Sequence, residues 1–216
     1  MMKLLSLSPA TLSILLLSAC GGSGAKPANV GNHKTDPSGL PALYAGLFET
    51  GKSWKLPAEY VTSMDGQTSS AKGTMTCHVE EARAITGGKT ARLACDPDGV
   101  EAPDSPAGTY VGTPAGLWRV DDAFDGDATK LDATKMLLAA APKEGKVETK
   151  DTENPDHGSA VIVKAHAGGW CASSGSWGGD EGGWTLCLRD GAVIGGAGFW
   201  AGGSTRDLYF GDVPRN

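Results

Sequence analysis

From Leu43 onward the apolar residues recur with the short period of β-strands, and Gly, Asp, Pro and Ser punctuate the runs. Candidate strands fall at about 43–50, 52–63, 72–85, 89–96, 108–120, 135–142, 145–151, 158–168, 183–189, 191–200 and 206–213. Thr86-Gly87-Gly88-Lys89 has the chemistry of a hairpin turn between Thr74–Val79 and Ala91–Cys95. One segment, Thr129 to Ala141, carries enough Leu, Met and Ala for a short helix, and reads equally as a buried strand after Asp132. The pattern predicts an all-β fold: a mostly antiparallel sheet, curved as a half-barrel or folded as a sandwich.

The two halves of this β-rich domain, residues 42–216, repeat an order of signals. The first has Cys77, a hairpin, Cys95-Asp96-Pro97-Asp98-Gly99 and then Ala115-Gly116-Leu117-Trp118. The second has Cys171, a loop, Cys187-Leu188-Arg189-Asp190-Gly191 and then Ala197-Gly198-Phe199-Trp200. This suggests two pseudo-repeated modules, about 43–120 and 135–213.

The N-terminal segment breaks the strand pattern. Lys3 precedes an apolar stretch too short to span a bilayer, which ends in Leu17-Ser18-Ala19-Cys20. This motif resembles the lipobox of bacterial lipoproteins. The resemblance implies that residues 1–19 are a signal peptide cleaved before Cys20, and that acyl chains on Cys20 anchor the mature chain to the membrane. It covers the signal region alone and carries no activity with it. Gly21 follows the cysteine where some bacteria read an inner-membrane retention signal, typically Asp, so the expected address leans towards the outer membrane of the cell envelope. Residues 20–41, rich in Gly, Pro, Asn and Ser, read as a lipidated, flexible tether; His33 within it reads as a solvated residue.

Export changes the meaning of the five cysteines. Setting Cys20 aside leaves an even set in an oxidising compartment, and hairpin spacing favours Cys77 with Cys95 and Cys171 with Cys187. A zinc site or a cysteine nucleophile is the rival reading, but no close C-x-x-C pair supports one. Removing Lys3 with the signal takes the net charge from −6 to −7. An acidic chain without a basic stripe is a poor nucleic-acid binder, so the expected partners are the membrane through the anchor and an envelope protein or glycan.

The most unusual stretch runs from Gly168 to Trp184, with Trp170, Trp177 and Trp184 among glycines and the acids Asp180 and Glu181. Tryptophan supplies broad apolar area with one N–H donor, as at binding hot spots and sugar-stacking platforms, and glycine admits close approach. These five residues are the candidate binding set. Trp170 and Trp184, flanking the cysteines, are expected to face the interior together, with Trp177 at the loop tip and exposed. Catalytic signatures are weak: Ser176 and Ser204 lie outside any G-x-S-x-G elbow, and His78, His157 and His166 form no ligand pair. No cofactor motif is present. Asp121-Asp122-Ala123-Phe124-Asp125-Gly126-Asp127 lacks the EF-hand register, so ordinary turn chemistry stands beside calcium as its reading. The resulting expectation is a non-enzymatic binding or structural module; a glycan or peptidoglycan hydrolase using Asp180, Glu181 or His166, and a lipid carrier of half-barrel form, are the alternatives.

Overall fold

The computed structural model describes residues 39–102, 104–120, 123–154, 156–178 and 181–215; the lipobox, Cys20 and nearly all of the tether lie outside this range. Twelve strands follow: β1 Ser53–Met64, β2 Gln67–Ile85, β3 Gly88–Asp98, β4 Gly108–Gly112, β5 Gly116–Val120, β6 Leu138–Ala139, β7 Gly145–Lys150, β8 Gly158–His166, β9 Gly169–Trp177, β10 Glu181–Arg189, β11 Ala192–Gly202 and β12 Ser204–Gly211. All pair antiparallel, in the order β6-β5-β4-β3-β2-β1-β12-β11-β10-β9-β8-β7. Two six-strand meanders therefore meet where β1 pairs β12, and β6 and β7 form the outer edges.

That order forces curvature. Laid flat, twelve strands would hold β6 and β7 about 50 Å apart. The chain passes from Ala139 to Gly145 in six residues, a reach of at most about 22 Å. The sheet therefore curls into a half-barrel. Arg119 of β5 and Trp184 of β10, with six strands between them in the sheet, meet across the interior at 4.5 Å.

Alternation fills the inner face. Met75, Cys77 and Val79 of β2, Leu93 of β3, Tyr110 of β4, Leu117 of β5, Leu186 and Leu188 of β10, and Leu208 and Phe210 of β12 form one buried cluster. Two segments complete it. Helix α1, Ala42–Ala45, runs into a 3-10 turn at Gly46–Phe48, and together they insert Leu43, Tyr44, Leu47 and Phe48. Gly191 N–H donates to Leu43 O at 3.1 Å, and the Tyr44 hydroxyl donates to Thr113 O at 2.8 Å. Further along, the β3–β4 connection crosses the inner face so closely that a Cβ on Gly198 would lie 1.7 Å from Asp104 O.

Each half carries one cross-strand disulfide, Cys77–Cys95 between β2 and β3 and Cys171–Cys187 between β9 and β10. Both fit an oxidising compartment outside the cytoplasm. The all-β, antiparallel, two-half reading stands, with local corrections. The expected strand at 43–50 is helical, because Leu40, Leu43, Tyr44 and Leu47 follow i, i+3, i+4, i+7 spacing, a helical stripe. The expected strand at 108–120 breaks at Thr113-Pro114-Ala115 into β4 and β5. The β1–β2 hairpin turns at Asp65-Gly66, both at positive φ (53° and 76°), so β2 begins at Gln67 rather than near 72. Helix candidate 129–141 becomes 3-10 turns at Ala128–Lys130 and Ala133–Lys135 followed by β6. Each turn begins with an Asp, 127 or 132, whose carboxylate accepts from the backbone N–H two residues on. The chain returns to extended geometry after each, so no continuous helix forms.

Candidate functional site

The stretch from Gly168 to Trp184 is a β-hairpin arm pair, β9 and β10, rather than a long loop. Parity then sorts its tryptophans. Leu188 pairs with Trp170, Leu186 with Ala172 and Trp184 with Ser174, so Trp170 and Trp184 point to the inner face. Trp184 is 9% exposed beneath the Arg119 guanidinium, and Trp170 packs against the core. Trp177 and Glu181, of opposite parity, lie on the outer face. Asp180 lies outside the described residues. The structure therefore brings together Trp177 and Glu181 of the five candidate binding residues, and places Trp170 and Trp184 behind the sheet.

On that outer face the C-terminal half forms a groove of about 450 Å³. Its floor is a cross-strand row, Ile162–Ser173–Thr185–Ala197–Tyr209, set by the β8–β9, β9–β10, β10–β11 and β11–β12 registers. Small residues at the centre leave a depression between larger ones at the ends. Ser173 Oγ and Thr185 Oγ1 share a hydrogen bond at 2.8 Å, so the polar floor atoms are held together while each hydroxyl oxygen keeps further acceptor capacity. In the next row Phe199 lies flat over its partner Gly183 and over Gly175. A Cβ at Gly183 would sit 2.4 Å from the Phe199 ring, so this arrangement requires glycine.

Charge divides the rim. Lys146 and Lys164 stand on the β7–β8 side, and Glu181 and Asp207 on the β10 and β12 sides. Burial raises the Asp207 carboxyl above the ordinary aspartate range. Burial also raises Tyr209, reinforced by Asp207 and opposed by Arg215. The Arg215 guanidinium stacks 4.9 Å over the Tyr209 ring and pairs with Glu59 at 2.8 Å, closing that end. Asp207, Tyr209 and Phe199 were not among the sequence candidates. The signal for two of them was the alternation Asp207-Leu208-Tyr209-Phe210, which puts one pair outside and one inside.

Neither His78 nor His166 reaches the groove, whereas His157 lines a neighbouring depression with Ser176 and Trp177. His166 lies at the opposite end of β8 from Gly158, the partner of Trp177, eight residues or about 27 Å away. His166 Nε2 instead contacts Asp212 at 2.8 Å, and His78 contacts Asp96 at 3.4 Å. The inner face, where a carrier would hold lipid, is occupied by α1, its following turn and the β3–β4 connection. Among the described residues no group of three or more His, Cys, Asp and Glu could hold a metal ion. Asp127 of the acid-rich segment caps Thr129, while Asp121 and Asp122 lie outside the described residues. No described helix is long and apolar enough to cross a membrane. Comparison with family models and with curated proteins returns no match.

Proposed function

We propose that this chain is a non-enzymatic lipoprotein of the bacterial cell envelope, anchored through acylated Cys20 with the outer membrane as its address, that binds an acidic glycan segment in the β8–β12 groove. The observation that carries the reading is the pairing of flat aromatic walls with a polar floor and a divided rim in one depression. Trp177 and Phe199 offer faces for sugar rings, Ser173 and Thr185 offer hydroxyls, and Asp207 is a half-buried acceptor for sugar O–H groups. Lys146 and Lys164 supply the cationic side that a glycan carboxylate would meet.

Calorimetric titration of the full chain with acidic and neutral envelope oligosaccharides tests this. The acidic series should bind saturably. Trp177→Ala should weaken it by about tenfold or more, and Lys164→Ala should reduce the preference for acidic over neutral sugars. No saturable binding of either series to the wild type would overturn the glycan reading. Mass spectrometry of the N-terminal peptide tests the anchor separately: an unmodified Cys20 in membrane-extracted protein would overturn it.

A further inference from the structure

β7 is the longer of the two edge strands of the sheet. It pairs with β8 on one side, and no described strand pairs with it on the other. All six of its residues are exposed, and Val147, at 52%, is one of two strongly exposed large hydrophobics among the described residues. An edge of this kind is a template for another strand. Its sequence specifies which one.

Around Val147 the charges are antisymmetric. Lys146 is matched by Glu148, Glu144 by Lys150, and Lys143 by Asp151 at equal distances on either side. In an antiparallel pair of identical strands centred on Val147, Lys146 meets Glu148 of the partner twice within the ladder, and the flanking charges follow the same opposite-sign order.

Backbone geometry narrows the registers. Asp151 N–H donates to His157 O at 3.0 Å, continuing the register in which Lys150 faces Gly158. Odd-numbered residues of β7 therefore direct their N–H and C=O groups to β8, and Lys146, Glu148 and Lys150 present theirs to the free edge. Hydrogen-bonded pairs across a β7–β7 contact must then join even positions to even positions. Two such registers keep five residues of each strand paired. The one centred on Glu148 sets Glu148 against Glu148 and Lys146 against Lys150, all like charges. The one centred on Val147 sets Lys146 against Glu148 twice. It also brings the two Val147 side chains together at a non-hydrogen-bonded position, where facing residues approach most closely.

We infer that β7 pairs with β7 of a second copy of this chain, antiparallel about Val147, to give a two-fold dimer in which the two twelve-strand sheets run on as one. The contact is isologous and closed, so it ends at two chains rather than growing into a fibre. Lys146 and Glu148, which pair within the strand in the single chain, exchange partners across the axis.

Sedimentation of the full chain, with oxidative crosslinking of cysteine variants, tests the register. The wild type should dimerise with concentration, and Glu148→Lys should weaken the dimer at least tenfold. Lys146→Glu combined with Glu148→Lys should restore it, because the swapped charges again meet. Val147→Cys should give a dimer disulfide-linked through the substituted position of each copy, since facing residues there lie about 4.5 Å apart at Cα, within disulfide reach. Thr149→Cys should not crosslink to itself. A wild type that stays monomeric to about 1 mM, an unaffected Glu148→Lys dimer, or a Thr149→Cys crosslink in place of the Val147→Cys one would each overturn the proposal.

Discussion

Gly116-Leu117-Trp118 and Gly198-Phe199-Trp200 lie on the fifth strand of each half, β5 and β11, yet face opposite ways. In β5, Leu117 joins the inner cluster and Trp118 points outward, where it is 5% exposed. The segment carrying the two 3-10 turns roofs it, and its indole N–H donates to Asp132 O at 2.9 Å. In β11 the pattern is turned over by one residue: Gly198 faces in and Phe199 faces out. Among the described residues no such roof covers Phe199, and its ring lies instead on glycines as a wall of the groove. A one-residue shift in facing thus separates a covered outer surface from an open one. The repeat preserves strand order while leaving facing free, and the groove arises where the second half departs from the first.

The disulfides give the largest test of that difference. They close loops of similar length, 18 and 16 residues of separation, so the chain-entropy contribution is about 3 kcal/mol for each. Their faces differ. Cys77 belongs to the inner cluster between Met75 and Val79, whereas Cys171 and Cys187 lie on the groove face, two residues from Ser173 and Thr185. Cys77→Ala with Cys95→Ala should cost about 4 kcal/mol in denaturant unfolding, the loop contribution plus lost core contacts. Cys171→Ala with Cys187→Ala should cost about as much, because both of these cysteines are buried as well, and should weaken groove binding more. Equal losses of binding in the two variants would remove the distinction between faces.

Much of this was legible in the sequence because alternation and cysteine spacing are local signals. The Thr86-Gly87 hairpin and both disulfide pairs follow from residues within twenty positions of one another. The groove was not legible, because its floor joins Ile162, Ser173, Thr185, Ala197 and Tyr209 from five strands. Their alignment depends on every intervening register, including the shift between Cys187 and Leu188. Residue type puts Trp170 and Trp184 in the binding set, but their matching positions beside the cysteines already imply the shared inward facing that strand parity gives them. The helical segment at Leu43 to Phe48 was hidden for another reason: it is so apolar that a strand and a helix both fit it, and Leu40 supplies the helical spacing from outside the predicted strand.

The inner helical segment, α1 with its following turn, and the groove should respond in opposite ways to truncation. Leu47 is 1% exposed within the inner cluster, so Leu47→Ala should cost about 2–5 kcal/mol by thermal or denaturant unfolding. Trp177 is only partly buried at the end of β9; Trp177→Ala should cost about 1 kcal/mol or less while removing most groove binding. Should Leu47→Ala unfold the chain, Leu47→Val gives the same comparison at smaller amplitude. If Trp177→Ala destabilised the fold as much as Leu47→Ala, the indole would be serving as core and the groove would lose its main wall.

The smallest effect concerns two aspartates that differ in the same way. Burial raises both Asp104, on the inner-face connection, and Asp207, in the groove, but Arg119 opposes the shift at Asp104 alone. A carboxyl whose folded pKa exceeds its unfolded value near 3.8 binds its proton more tightly in the folded state. Stability therefore falls as pH rises from 3.8 through the folded value and levels off above it. Asp207→Asn should remove its share of that slope and stabilise the free protein slightly at neutral pH. A glycan donating O–H groups to the Asp207 carboxylate favours the ionised form, so bound ligand should lower the Asp207 pKa and leave Asp104 where it was. Carboxyl-detected NMR titration with and without oligosaccharide separates the two. A ligand-induced shift at Asp104 instead would move the binding surface to the inner face and reverse the assignment of the two sides of the sheet.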